Sequence, residues 1–198
     1  IEEVVVTGSY IKGSPTDGAS PVEIISRDTI DALSASTVAD ITANLSINSG
    51  SENNVDSFTS GATQGTGNVN LRGLGLTSTL VLLDGKRHTL AGIAANDGSV
   101  FVNTNIIPVN AIERVEVLKE GAASVYGSDA VAGVVNYIFR RDFEGIEVDV
   151  SSQEADLGGQ TDDKVSVIFG TPLGNGNLVV AVSSLDRSPL FGSAFNPS

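Results

Sequence analysis

The chain contains no cysteine, methionine or tryptophan, and a single histidine, His88. Without cysteine there is no disulfide, no thiolate metal site and no cysteine nucleophile; this leaves the redox compartment open and is compatible with export. One histidine cannot build a histidine metal cluster, so neither a metal nor a cofactor is expected. Cations are scarce: 11 Lys and Arg stand against 24 Asp and Glu, a formal charge of −13. The electrostatic term that dominates nucleic-acid binding is therefore repulsive, and no nucleic-acid partner is expected. No run approaches the ~20 apolar residues of a membrane helix, and no charged-then-apolar signal segment opens the sequence. The lack of methionine reads as a processed or trimmed start at Ile1.

What is present favours strands and turns. With 198 residues, 40% of them hydrophobic, and a mean hydropathy of +0.13, the chain can bury one ordinary core with an appendage. The 22 glycines and abundant Val, Ser, Thr and Asn supply β propensity and the backbone conformations that tight turns need. Ile1 to Thr7 reads as an extended apolar segment, and the Gly, Ser, Pro and Asp that follow read as a flexible tether. Val22 to Ile25 is a strand candidate, and Ser26 and Thr37 are N-caps for two short helices, the second carrying Val38, Ile41 and Leu45 on one face. Residues 48–67 hold too little apolar surface to order tightly and are expected to form an exposed loop. Strands are expected at Val69 to Arg72 and at Thr79 to Leu83, the latter closed by the Asp84-Gly85 turn. A helical turn over residues 108–114 leads into a half-buried strand in which Val115 and Val117 flank Glu116. A turn-rich unit, 121–133, precedes a strand at Val134 to Phe139.

The pattern changes after Arg140-Arg141-Asp142. Ile146, Val148 and Val150 alternate with polar residues, Val165, Val167 and Phe169 form a second such run, and Leu178 to Leu185 a third. Their length suits tilted membrane-barrel strands, and a long polar link followed by the tight Gly174-Asn175-Gly176-Asn177 turn is a barrel habit. Alternation alone favours an ordinary antiparallel meander on a soluble domain.

Enzymatic and nucleotide-binding readings find little support. Val4 to Ser9 with Gly13, and Gly73-Leu74-Gly75, imitate glycine turns of dinucleotide sites, but neither opens a helix that could receive a pyrophosphate. Asp84 beside Lys86, Arg87 and His88 reads as a solvated turn before an acid/base cluster. No serine stands in a nucleophile elbow, and no enzyme is expected.

Three stretches in order, Asn70-Leu71-Arg72-Gly73-Leu74-Gly75, Val81-Leu82-Leu83-Asp84-Gly85-Lys86-Arg87 and Ile112-Glu113-Arg114-Val115-Glu116-Val117-Leu118, carry a resemblance. A fourth runs from Gly121 through Tyr126-Gly127-Ser128-Asp129 to Gly133-Val134-Val135-Asn136. Together they resemble the plug domain of TonB-dependent outer-membrane transporters, over residues 1–140, with 145–198 as initial barrel strands. The resemblance implies an α+β plug with a small mixed β-sheet and short helices, followed by antiparallel strands from the start of a transmembrane β-barrel of about 22 strands. It divides the chain into a TonB box and tether (1–20), a plug (21–142) and first barrel strands (143–198).

The same resemblance implies a role and partners. The plug gates the lumen of its own barrel in the outer membrane, binds a small-molecule ligand (siderophore, cobalamin, metal chelate or carbohydrate), and is pulled by the C-terminal domain of TonB. Glu3, Val4, Val5, Val6 and Thr7 resemble the TonB box, an extended peptide able to add as a strand to a sheet edge; the alternative, on propensity alone, is a plain first strand of the domain sheet. Arg72 and Arg114 are candidates for plug-to-barrel ion pairs. Lys119-Glu120-Gly121 departs from the Arg-Gly-Pro often found in the family, and a lysine cannot make arginine's two-pronged bond to a carboxylate. Loops 51–67 and 90–103 are expected to face the ligand, with Asn53, Asn54, Ser57, Gln64, Asn96 and Asp97 as contacts. The competing readings are a soluble exported β-rich ligand-binding or adhesive domain, and a nucleotide-dependent oxidoreductase.

Overall fold

A computed structural model describes residues 22–49, 51, 63, 65–119, 123–154 and 160–188. The chain divides into two compact units, one ending at Phe139 and the other made of Arg140 onward together with Pro108–Ala111.

The first unit is a mixed sheet with short helices. Strand β1 (Val22–Ile25) leads through the Ser26 cap into helix α1 (Arg27–Ala32). Arg27 pairs with Asp31 one turn on, and its Nη1 donates to the Ile112 carbonyl at 2.9 Å, which fastens the helix to the sheet. Thr37 caps α2 (Val38–Ala43) through a reciprocal box: the Thr37 N–H donates to Asp40 Oδ2 at 2.7 Å, and the Asp40 N–H donates to Thr37 Oγ1 at 3.3 Å. Both caps were legible in the sequence. Val38, Ile41 and Leu45 are buried as their spacing requires.

The sheet adds β2 (Thr79–Leu83), β3 (Lys86–Arg87), β4 (Ile112–Leu118) and β5 (Gly133–Phe139), in the order β1-β4-β5-β2-β3. All neighbours are antiparallel except β2 and β5. A short helix α3 (Ala123–Tyr126) and a 3-10 turn (Ser128–Ala130) connect β4 to β5. Cross-strand partners share a face, so Val22, Leu118, Val134 and Leu80 form one row. Leu82 and Ala130 complete that hydrophobic cluster, and Tyr126 packs on it. Val117, Val135 and Val81 line up on the opposite face.

Two expectations need correction. Residues 66–70 form no strand; Leu71 makes only an isolated bridge to Asn48. Side chains replace the ladder: the Asn70 N–H donates to Asn48 Oδ1 (3.0 Å) and Ser51 Oγ (3.1 Å), and the Leu71 N–H to Thr79 Oγ1 (3.0 Å). Arg72 then turns the chain at φ 59, a left-handed conformation incompatible with continuing a strand. Secondly, β4 is fully buried over Val115–Leu118 and not half-buried, Glu116 included. It lies between β1 and β5, so both its edges are paired.

The second unit contains β6 (Gly145–Glu154), β7 (Thr161–Leu173) and β8 (Gly176–Arg187), an antiparallel meander of 10, 13 and 12 residues. The strands run longer than the sequence suggested, because pairing continues past the apolar runs into polar residues at both ends. A two-residue turn with Gly174 at φ 61 joins the last two. One face carries the rows Ile146–Phe169–Val180 and Val148–Val167–Val182, then Val150 beside Val165. Every one of these side chains is exposed. The band ends at the row Ser152–Asp163–Asp186. The opposite face carries Glu147, Asp149, Lys164, Ser166, Ile168 and Ser183.

Arg140 organises the start of this unit. Its backbone N–H donates to the Ala111 carbonyl at 2.9 Å, its guanidinium lies 4.3 Å from the Phe143 ring centroid, and it pairs with Glu147 at 3.1 Å. These contacts hold Pro108–Ala111 to the strands that follow.

Candidate functional site

Loop 88–103 has its own framework. The Ala91 N–H donates to the Phe101 carbonyl at 2.7 Å and the Ala95 N–H to the Ser99 carbonyl at 2.9 Å, folding the loop back on itself. Phe101, Ala95 and Leu76 bury one another, giving it a small core. The 3-10 turn Thr104–Ile106 follows.

Residues 65–67 are tied to that turn. The Thr104 N–H donates to the Gly67 carbonyl at 2.8 Å, the Gly67 N–H to Asn103 Oδ1 at 3.0 Å, and Asn105 Nδ2 to the Gly65 carbonyl at 3.3 Å. A Cβ at Gly67 would fall 2.5 Å from Asn105 Oδ1 and 2.8 Å from Thr104 Oγ1, so any larger residue would push those side chains out of the arrangement that joins the loops.

Between the joined loops is an open depression of about 390 Å³, walled by Thr66, His88, Leu90, Ile93, Asn103 and Ile106. Leu90 and Ile106 are more than half exposed there, at 53% and 56%. His88 Nδ1 donates to the Thr89 carbonyl at 2.9 Å, which orients its ring. Of the loops expected to face a ligand, 90–103 thus forms a wall. Asn96 and Asp97 sit on the exposed turn beyond it and not in the depression. Thr66, His88 and Ile106 were not singled out as contacts, because nothing in the sequence says that residues 66 and 106 meet; the glycine at 67 was the available signal.

Asp97 holds its turn closed. Its Oδ1 accepts from Ser99 Oγ at 2.6 Å and from the Ser99 N–H at 2.8 Å. These two bonds, the side-chain one first, hold the carboxyl below the usual carboxylate range. A depressed carboxylate contributes order that is present above the ordinary value and lost as pH falls through the folded one. Carboxyl carbon NMR is expected to give Asp97 a low midpoint that moves up in Ser99→Ala; equal midpoints would remove the hydroxyl bond from the account.

The candidate ion-pair arginines lie within the first unit. Arg114 Nε and Nη2 both reach Glu116 Oε1 at 2.9 Å. Asn136 Nδ2 donates to the other Glu116 oxygen at 3.4 Å, and Asn136 Oδ1 accepts from the Gly85 N–H at 2.9 Å. Asp84, at φ 49, accepts from the Phe139 N–H at 3.0 Å. Arg87 pairs with Asp129 and donates to the Tyr126 carbonyl at 2.6 Å. The Asp84 to Arg87 motif is therefore structural wiring between turns and strands. Arg72 Nη2 donates to the Lys119 carbonyl at 2.6 Å, and Lys119 Nζ pairs with Glu23 at 2.7 Å. Lysine at 119 thus serves the β1–β4 edge. Glu3, Val4, Val5, Val6, Thr7, Asn53, Asn54, Ser57 and Gln64 lie outside the described residues.

Comparison with known proteins gives these features a family. Among solved structures, the chain is similar to the ferric citrate transporter FecA in its unliganded form, with 22% identity and a TM-score of 0.67 over 86% of this chain and 26% of that one. It is similar to the siderophore receptor PirA from Pseudomonas aeruginosa, with 23% identity and a TM-score of 0.56 over 84% of this chain and 28% of that one. A mutant of the ferric enterobactin receptor PfeA from Pseudomonas aeruginosa, in complex with enterobactin, matches with 23% identity and a TM-score of 0.59 over 86% and 26%. At this identity the likeness is one of fold, and the chain spans about a quarter of the length of these relatives. The family model for the TonB-dependent receptor plug domain matches residues 14–134. That stretch holds every strand of the mixed sheet up to the start of β5 and all the loops around the depression, and the antiparallel strands follow it directly: the chain belongs to the TonB-dependent receptor plug domain family, continued by the first strands of a barrel.

Proposed function

We propose that this chain is the plug region of an outer-membrane active transporter, which occludes the barrel lumen, binds a small-molecule ligand on its loops and is released by TonB. The observation that carries the reading is the direct passage from plug to barrel strand. Only residues 140–144 separate β5 from β6, and the meander that follows exposes a continuous apolar face. Along β7 that face runs from Leu173 to Val165. At ~3.3 Å per residue and a tilt of about 40° it rises roughly 20 Å, close to the apolar band of outer-membrane barrels. A soluble domain has no use for such a face.

Glu3 to Thr7 would be the segment TonB engages, by strand addition. Arg72 and Arg114 remain candidates for pairing with barrel carboxylates, since each guanidinium is fixed in place by bonds within the plug. Neither role involves covalent chemistry.

The test is ligand uptake by cells carrying the full-length protein, with TonB present and deleted. Uptake is expected only with TonB. Equal uptake in both strains would reduce the chain to a passive pore lining, and binding without uptake in either would favour a surface binding module.

A further inference from the structure

The depression between the loops carries a chemical selectivity that can be read from its charge. From His88 to Ile112 the sequence contains no lysine or arginine, and none occurs from Asn44 to Leu71. The walls therefore hold no fixed cation. The nearest arginine in sequence, Arg87, is committed to Asp129 and the Tyr126 carbonyl. The only carboxylate in the stretch 88–112 is Asp97, and the chain as a whole carries −13.

An anion brought to this surface gives up hydration and finds no lysine or arginine on the walls to bond it, and it meets a repulsive field on approach. The walls instead offer two other kinds of contact. Leu90, Ile93 and Ile106 present exposed apolar surface, while His88 and Asn103 carry hydrogen-bonding groups and the buried Thr66 hydroxyl already donates to the Thr63 carbonyl at 2.6 Å. This pairing suits a solute with C–H faces and a rim of hydroxyls.

We infer that the depression takes an uncharged, polyhydroxylated ligand, a neutral oligosaccharide in chemical class, and does not take an anionic ferric chelate. The inference rests on the plug reading above, and narrows it. Recognition is then a matter of apolar packing and neutral hydrogen bonds, so affinity is insensitive to salt. Specificity among sugars falls to the Asn103 Nδ2 donor, whose side chain is fixed because its Oδ1 accepts from the Gly67 and Asn105 N–H groups at 3.0 and 3.1 Å.

The experiment is calorimetric titration of the full-length receptor in detergent with maltoheptaose, cellohexaose, xylohexaose, mannohexaose and chitohexaose, and with ferric citrate and ferric enterobactin. At least one neutral oligosaccharide is expected to bind, with an affinity that changes less than about twofold between low and high salt. Ile106→Asp is expected to weaken it at least tenfold; because Ile106 is largely exposed, this variant keeps its fold, which far-ultraviolet circular dichroism checks. Binding of either ferric chelate, silence across all five sugars, or full affinity in Ile106→Asp would overturn the inference. Chelate binding would do so while leaving TonB-dependent uptake intact, whereas TonB-independent uptake of a bound sugar would instead remove the transporter reading.

Discussion

Gly133→Ala is expected to destabilise the plug by about 4 kcal/mol, enough to abolish a stable sheet. Gly133 opens β5 at φ 141, and a Cβ there would stand 2.6 Å from the Leu118 carbonyl oxygen and 2.8 Å from Leu71 Cδ1. Neither neighbour can give way: Leu118 is hydrogen-bonded into the β4–β5 ladder, and the Leu71 side chain is wholly buried. Gly127 provides the control. It too has a positive φ, of 87, but a Cβ there meets nothing within 4 Å. Gly127→Ala is expected to cost only the backbone term, roughly 1–3 kcal/mol, since φ 87 with ψ −166 is a conformation kept almost entirely for glycine. Amide hydrogen exchange of β4 and β5 reads both; similar protection in the two variants would mean that the close approach at Gly133 relaxes freely.

Arg114→Met is expected to cost about 3 kcal/mol, and Glu116→Gln distinctly less. The asymmetry follows from burial: Glu116 is 1% exposed and Arg114 25%. Removing the arginine leaves a carboxylate inside the sheet with Asn136 alongside at 3.4 Å. Removing the carboxylate charge leaves an arginine that can hydrate through its exposed edge, while the glutamine still receives the Asn136 bond. Exchange at the Val115 and Val135 amides should accelerate about a hundredfold in the first variant and less than tenfold in the second. Equal effects would show that water already reaches the pair.

Much of the architecture was legible because local chemistry and fold agree. Ser26 and Thr37 are side chains whose geometry favours a cap, and both cap helices. Asp84-Gly85 turns β2 into β3, with both residues at positive φ. Alternation in the last strands marks faces correctly, since each apolar run stands on one side of the meander. What escaped the sequence depends on distant partners. Glu116 between two valines reads as a solvent-facing position, and the arginine two residues earlier and Asn136 on the next strand help it to be buried. Asn70 and Leu71 have strand-like neighbours, but Asn48, Ser51 and Thr79 take their N–H groups and keep a ladder from forming. The depression brings Thr66 against residues 22 to 40 positions later, where Gly67 lets two loops touch.

The absence of fixed cations on those loops separates this plug from a simple transfer of ligand by family likeness. The matched structures are a ferric citrate transporter and siderophore receptors, and at 22–23% identity the likeness to them is one of fold. Loops are where such proteins differ, because they are free of the packing that preserves the sheet.

The central claim, that the chain couples to TonB through its first residues, is tested most directly by calorimetric titration of the full-length protein with the C-terminal domain of TonB from the same organism, beside a Val5→Pro variant. Proline removes one strand hydrogen bond and fixes φ. The account predicts binding to the unaltered protein and its loss in Val5→Pro; equal binding by both, or binding by neither, would contradict it.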